Sequence, residues 1–197
     1  MPADELEISS PLVLELLNLL PPSKYIVATP DSIICKSIVS LRAFVQPLGQ
    51  PSRLPLSQPF VFVQHLLLQL QFLEKRHKQG VLYFSLDHIV VLNGDTYLLH
   101  NLEALAPLKA PLYKSFIMSY PLDDGRTSGD TDNGIYRSPL LFCSPLILPF
   151  TVPLCVTANS FGQLCEAIVD PKDRKKGSRL YHFIVRSYGE DGTLLFL

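Results

Sequence analysis

The chain has 197 residues, a net charge of −1, 47% apolar residues and 18% charged residues. This length favours one domain, with or without an appendage, and the apolar content excludes an intrinsically disordered chain. The near-neutral charge argues against nucleic acid or an anionic membrane as the main partner. We therefore expect a packed core and a protein partner.

The cysteines and the amino-terminal residues bear on compartment and metal binding. The acidic start, "MPADELEISS", is not typical of a signal peptide, and no apolar run reaches the ~18 residues of a membrane span. No Cys-x-x-Cys pair occurs and no histidine has zinc-site spacing, so zinc is not expected. A reducing, cytoplasmic compartment is expected, with the cysteines as small apolar residues. The four are Cys35, Cys143, Cys155 and Cys165.

The first part of the chain contains a helix signal and then β-branched residues. "SPLVLELLNLL" (Ser10–Leu20) predicts a short helix, capped by Ser9 or Ser10, with Pro11 in its first turn. "KYIVATPDSIICKSIVSLRAFV" predicts a strand and then a short helix. Four prolines between residues 46 and 59 predict a linker or surface loop. We accordingly divide the chain into an amino-terminal segment, 1–58, and a main part, 59–197.

The main part begins with the clearest helix of the sequence. "FVFVQHLLLQLQFLEKRHKQG" (60–80) has leucines three and four residues apart and ends at Gly80. Two strand patterns follow, "HIVVLN" and "TYLLHNL", with Gly94 and Asp95 between them, which predicts a β-hairpin.

The region from 113 to 135 is predicted to be a loop with an exposed, acidic centre. This loop is a candidate contact for a partner, through Asp123, Asp124, Arg126, Asp130 and Asp132. A calcium loop at Asp130 is disfavoured, because Gly134 comes one position early. An apolar helix (160–169) and a short helix (178–188) follow. The basic "DRKKGSR" between them is interpreted as a solvated loop rather than a phosphate or lipid site.

The order of these elements resembles the large lobe of protein kinases. "GVLYFSLDHIVVL" (80–92) lies where kinases carry the H-R-D catalytic loop, and "YLLHNLEAL" (97–105) lies where they carry D-F-G. "YRSPLL" (136–141) is similar to Y-x-A-P-E, and "TANSFG" (157–162) to D-x-W-S-x-G. The resemblance covers about 60–169 and depends on the order of weak motifs. It implies an α+β, mainly helical fold: a reduced kinase large lobe with a small β-hairpin and an irregular amino-terminal segment, as a small-lobe remnant or extension.

The resemblance also implies lost chemistry. Ser85 stands where kinases have the catalytic aspartate, His88 at the magnesium-binding asparagine, and Asn101 at the magnesium-binding aspartate. A hydroxyl is not a base near neutral pH, and neutral side chains bind magnesium poorly. No glycine-rich nucleotide loop is found. We therefore expect no catalytic residue, cofactor or metal, and expect these three residues to converge on one cleft. Asp87 as a displaced base and Glu103 as a displaced ligand remain the alternative.

Three functions follow from these patterns. The first is a catalytically inactive kinase-like protein, a pseudokinase, that binds or scaffolds another protein. The second is a divergent, active phosphotransferase. The third is a structural component of a viral or cellular assembly. The segment "GSRLYHFIVR" (177–186) is similar to the end of kinase-like proteins of large DNA viruses, which implies a virion-associated role. Non-catalytic kinase-lobe domains of scaffold proteins are a second resemblance, and they imply peptide binding.

Overall fold

The computed structural model describes residues 3–45, 53–55, 58–109, 111–112, 135–138, 150–152 and 155–187, with the backbone alone for 111–112 and 150. Over these residues the chain forms twelve short strands and six helical segments. The strands lie in five small antiparallel sheets. The prediction of a mainly helical α+β fold is therefore wrong, because helices and strands are mixed along the chain.

The residues of the amino-terminal segment that the structure describes form short strands and helices, which contradicts the predicted irregular segment. Ser10 caps the first helix, since its Oγ accepts a hydrogen bond from Leu12 N at 3.3 Å. Pro11 occupies the first turn, as predicted. The elements of this segment are β1 Asp4–Glu7, α1 Pro11–Leu17, β2 Val27–Ala28, β3 Ser32–Cys35, β4 Ile38–Ser40 and α2 Leu41–Val45.

The predicted long helix is confirmed as α3, Pro59–Phe72, which continues into a π-helical turn, Leu73–His77. It ends at Lys78, whose φ of 55° is left-handed, and not at Gly80. Gly80 is required for a different reason. A Cβ at this position would lie 2.7 Å from Thr157 Oγ1, so only glycine allows this close approach.

The predicted β-hairpin is also confirmed. β7 (Ile89–Leu92) and β8 (Thr96–Leu99) pair antiparallel, and the turn contains Asn93 and Gly94, both with positive φ. β4 adds to the other edge of β7, so the amino-terminal segment contributes a strand to this sheet. The remaining strands are β5 Gln79–Val81, β6 Tyr83–Ser85, β9 Leu105–Pro107, β10 Pro111–Leu112, β11 Ile135–Arg137 and β12 Phe150–Thr151. β5 pairs with β9, β6 with β11, and β10 with β12.

Two helices complete the described fold, α4 (Cys155–Ile168) and α5 (Arg179–Ser187). α4 begins before the predicted start at Ser160, because the small and polar residues that precede Ser160 are buried inside the helix rather than exposed as a cap. Phe161 of α4 lies 6.0 Å from Phe62, 5.6 Å from Phe84 and 5.6 Å from Phe183, measured between ring centroids. This aromatic contact joins α3, β6, α4 and α5 into one core.

Side chains of α3 complete the free edge of the hairpin. Gln69 is fully buried; its Nε2 donates to Tyr97 O at 2.9 Å and its Oε1 accepts from Leu99 N at 2.8 Å. His65 Nδ1 accepts from Tyr97 N at 3.3 Å. Both side chains therefore take the place of a neighbouring strand, since buried backbone groups must find partners.

None of the helices in the described ranges combines the length and the apolar character needed to cross a membrane.

Candidate functional site

The structure brings Ser85, His88 and Asn101 together through the main chain. His88 N donates to Ser85 O at 3.0 Å, and His88 O accepts from Asn101 N at 3.2 Å. His88 lies in the turn between β6 and β7, and Asn101 follows β8. Because β7 and β8 are paired strands, the turn before one and the chain after the other lie side by side.

Two further residues, Tyr83 and Glu103, join these three. Glu103 Oε1 accepts from Tyr83 Oη at 3.2 Å and lies 3.0 Å from His88 Nε2, while Asn101 Oδ1 accepts from Glu103 N at 2.9 Å. The rings of Tyr83 and His88 are 5.3 Å apart between centroids. We call Tyr83, Ser85, His88, Asn101 and Glu103 the His88 cluster.

The cluster is built around a neutral imidazole beside a charged carboxylate. Burial lowers the pKa of His88 below its ordinary value, and the opposing effect of the nearby Glu103 and Asp87 carboxylates is smaller. Burial acts to raise the pKa of Glu103, but hydrogen bonds from Asn101, His88 and Tyr83 together lower it. An ionised carboxylate only accepts, so His88 carries its proton on Nε2 near neutral pH. Its Nδ1 is then a buried acceptor without a described partner.

Asp87, the alternative catalytic base, is held by an arginine. Arg42 of α2 donates from Nε to Asp87 Oδ1 at 2.9 Å and from Nη2 to Asp87 Oδ2 at 2.8 Å. The hydrogen bond to Asp87 raises the pKa of Arg42, so the guanidinium stays charged. Both oxygens of the Asp87 carboxylate are engaged in this two-pronged contact, so neither is directed at a substrate hydroxyl.

The donor set does not fit a magnesium nucleotide. Magnesium prefers several carboxylate and water oxygens in octahedral geometry. The His88 cluster offers one carboxylate, Glu103, and that group already accepts from His88 and Tyr83. Over the residues that the structure describes, no group of three or more His, Cys, Asp and Glu side chains is arranged to hold a metal ion.

Side chains of α4 hold the backbone that leads to the cluster. Thr157 Oγ1 accepts from Val81 N at 2.9 Å. Ser160 Oγ donates to Leu82 O at 2.8 Å and accepts from Ser138 N at 2.8 Å. Two hydroxyl groups of one helix thus fix the backbone that leads into β6, which positions Ser85 and the turn after it.

The outer side of α3 presents apolar side chains to solvent. Phe60 is 48% exposed and Leu68 is 38% exposed. Leu68 and Phe72 line a shallow groove of about 370 Å³, whose other lining residues are Gln71, Lys75 and Arg76. The groove therefore has apolar side chains towards Leu68 and cationic side chains towards the carboxy-terminal end of the helix.

Sequence reasoning identified part of this arrangement. It named Ser85, Asp87, His88, Asn101 and Glu103, and it missed two residues that bind them. Arg42 is 45 residues from Asp87 in the chain, and no pattern in the sequence signals the pairing. Tyr83 had the clearer signal, since it lies on the same strand face as Ser85. The candidate contacts Asp123, Asp124, Arg126, Asp130 and Asp132 lie outside the described residues.

The comparisons with known proteins identify no family. The chain matches no protein-family model, no curated protein and no solved structure.

Proposed function

We propose that this chain is a catalytically inactive, kinase-like protein that binds another protein. The His88 cluster carries the proposal. Where the resemblance to kinases implies a catalytic base and two magnesium ligands, the chain has Ser85, His88 and Asn101, which main-chain hydrogen bonds hold together. The imidazole of His88 and the amide oxygen of Asn101 each contact Glu103. Phosphoryl transfer needs carboxylates for both tasks. The nearest ones, Asp87 and Glu103, are already bound by Arg42 and His88.

The contacts of α4 support the kinase-like part of the proposal. The resemblance puts Thr157 where kinases have an internally hydrogen-bonded acid. Thr157 accepts from the backbone N of Val81, four residues before Ser85. A hydroxyl can replace a buried carboxylate in this task without the cost of burying a charge. On this proposal the scaffolding contact is kept and only the acid is lost.

The outer face of α3 supports the binding part. Exposed apolar side chains that lie together mark interaction surfaces. Phe60 and Leu68 are on the outer side of a helix whose inner side, including Phe62 and Leu66, is already buried in the core. The proposed setting is a reducing compartment of the cell, which suits the free thiols of Cys35, Cys155 and Cys165.

Nucleotide binding tests the loss of catalysis. Thermal unfolding is measured with and without magnesium and ATP, together with phosphate transfer to a generic protein substrate. We expect a shift below ~1 °C and no transfer, because a ligand stabilises only when it binds the folded state. A shift of several degrees that disappears in Asp87→Asn or Glu103→Gln would contradict the proposal and favour a divergent phosphotransferase.

Substitution on α3 tests the binding surface. Photo-crosslinking from position 68 in cells identifies a partner, and its affinity for the purified chain is then measured. Leu68→Asp should weaken the complex at least ~10-fold, which corresponds to ~1.4 kcal/mol. Val27→Asp is the matched control, because Val27 is also exposed but lies on β2. Equal affinity of both variants would show that the α3 face is not the binding surface.

A further inference from the structure

A second surface of the chain is strongly cationic. Residues 172–186 contain six lysines and arginines and one carboxylate, although the whole chain has a net charge of −1. The sequence pattern alone predicts a solvated loop. In the structure the positive charge continues beyond that loop along one side of α5, so the basic side chains form a larger surface.

α5 separates its apolar and cationic residues. Leu180, Phe183 and Ile184 are buried, and Phe183 packs on Phe161 of α4. The exposed residues Arg179, His182 and Arg186 are three and four positions apart, so they lie along one side of the helix. Their side is the solvent side, because the buried residues occupy the other.

The turn before α5 adds two lysines to the same end of the helix. Gly177 has a φ of 90°, which permits the sharp change of direction, and Ser178 Oγ accepts from Tyr181 N at 3.1 Å to cap the helix. Lys175 and Lys176 are exposed in this turn, directly before Arg179. The name "cationic strip" is used here for Lys175, Lys176, Arg179 and Arg186.

Two of the described carboxylates near the strip have other partners. Asp170 forms an ion pair with Arg53 at 2.8 Å, and Glu166 lies 3.4 Å from Arg174. Within the described part of the chain, no ion pair involves Lys175, Lys176, Arg179 or Arg186. The positive potential of the strip is therefore directed at solvent.

We propose that the cationic strip binds an acidic segment of a partner protein, a second contact separate from the α3 face. Carboxylates spaced along such a segment would pair with Arg179 and Arg186, which lie seven residues, or about two helical turns, apart. Val185, 50% exposed, adjoins Arg186 and offers an apolar contact that a peptide side chain fills. Arginine suits this task because its planar group binds carboxylates through two hydrogen bonds.

The same observations disfavour other polyanions. Binding of single-stranded nucleic acid requires aromatic rings on which bases stack, and the strip has none; the nearby Tyr181 is half-buried, with its ring 5.6 Å from His182. Membrane adsorption requires large apolar residues beside the cations, and α5 exposes only Val185 strongly. The remainder of the chain has excess negative charge, which repels an extended polyanion more than a short segment.

Fluorescence anisotropy with defined probes tests the proposal. The probe is a fluorescein-labelled peptide of repeated Glu-Glu-Leu units, and the control peptide has Gln-Gln-Leu units. We expect saturable binding of the acidic peptide alone, weakened by added salt because the charges are exposed. Arg179→Glu combined with Arg186→Glu should weaken binding at least ~10-fold. Lys24→Glu with Lys109→Glu makes the same change of charge at exposed positions elsewhere and should leave binding within about twofold.

Further arms make each outcome decisive. Lys175→Glu with Lys176→Glu, in the turn rather than the helix, should also weaken binding, and this pair guards against misfolding of α5. Equal affinity of wild type and both charge-reversal variants, or no binding of the acidic peptide, would overturn the proposal. If a single-stranded oligonucleotide or phosphatidylserine vesicles bind more tightly than the acidic peptide, the ligand of the strip is nucleic acid or membrane and not an acidic protein segment. None of these results affects the nucleotide test of catalytic inactivity.

Discussion

Two groups of hydrogen-bonding side chains in this protein differ in what they bind. Gln69, His65 and Thr157 bind backbone groups inside the core. The side chains of His88 and Glu103 bind each other where the core meets solvent, because the His88 side chain is 5% exposed and the Glu103 side chain is 51% exposed. Water can reach the Glu103 carboxylate, but it cannot replace a lost partner in the first group. The interior group is therefore structural, whereas the exposed carboxylate of Glu103 is free to change with little loss of stability.

The two buried histidines, His65 and His88, also differ in what they bind. His65 accepts a hydrogen bond from Tyr97 N, which cannot turn into an acceptor, so protonation of Nδ1 breaks the contact. His88 donates to Glu103, and protonation retains that bond and adds charge attraction. Burial lowers the pKa of both, yet the consequence of protonation differs because their partners differ.

The largest expected effect is at Gln69. Gln69→Leu removes the partners of Tyr97 O and Leu99 N, and two buried backbone groups left unpaired should cost about 4 kcal/mol. Urea denaturation measures the loss. Gln71→Leu, two residues along the same helix but half-buried on the outer side, is the matched control and should change stability by less than ~0.5 kcal/mol.

Thr157→Val should cost about 2 kcal/mol, because it leaves the buried Val81 N without its acceptor while keeping the side-chain shape. The measurement is again the free energy of unfolding. Thr157→Ser retains the hydroxyl and should recover most of the loss. If the valine and serine variants have the same free energy of unfolding, the hydroxyl does not support β5, and the proposed contact between α4 and the backbone before Ser85 is wrong.

Acid should destabilise the protein through His65. In the unfolded chain this histidine binds a proton near pH 6.5, whereas in the folded chain its pKa is lowered by burial. As the pH falls below ~6.5 the unfolded state holds more protons, so stability falls by up to ~1.4 kcal/mol per pH unit for one histidine, until the folded pKa is reached. Unfolding at a series of pH values measures this slope, and His65→Asn should make it shallower. An unchanged slope would mean that His65 is not the group that resists protonation.

Glu103→Gln should reduce stability by no more than about 1 kcal/mol, because its contacts are half-exposed. The sharper readout is the NMR titration of His88. Loss of the carboxylate removes an effect that raises the pKa of His88, so that pKa should fall further. A rise would show that the two groups do not interact as the 3.0 Å contact requires.

The smallest effect is expected for Asp87→Asn, which removes an exposed ion pair with Arg42 and should cost about 0.5 kcal/mol. The loss should shrink further in high salt, since exposed charges are screened. If the free energy of unfolding falls by more than ~2 kcal/mol, the contact of Asp87 is as important for stability as the hydrogen bonds inside the core.

Local signals predicted the elements of this protein better than its architecture. The Ser10 cap, the long leucine-rich helix and the Gly94 hairpin were correct, because caps, helical periodicity and turns depend on residues close in sequence. The mainly helical fold class was wrong, because short strands such as β5 and β11 have no periodicity of their own and exist only through their pairing partners.

The candidate site divides in the same way. The sequence named Ser85, His88 and Asn101, and the hairpin brings them into one hydrogen-bonded set. Asp87 and its partner Arg42 are 45 positions apart in the chain, and Thr157 and its partner Val81 are 76 positions apart. No local sequence pattern predicts contacts between residues so far apart.

By itself the sequence determined that the chain has a large apolar core, and it determined where along the chain the main helix and the hairpin lie. Only the tertiary structure decided that the side chains of Gln69 and His65 form hydrogen bonds with the free edge of the hairpin. It also decided that Arg42 forms an ion pair with Asp87, and that Arg179 and Arg186 continue the row of basic side chains from the turn along α5. The physical reason is the separation along the chain between the residues that interact. Helix caps and turns are set by neighbours in sequence, whereas the partner of a buried polar group or an exposed charge is set by which distant segments pack beside it.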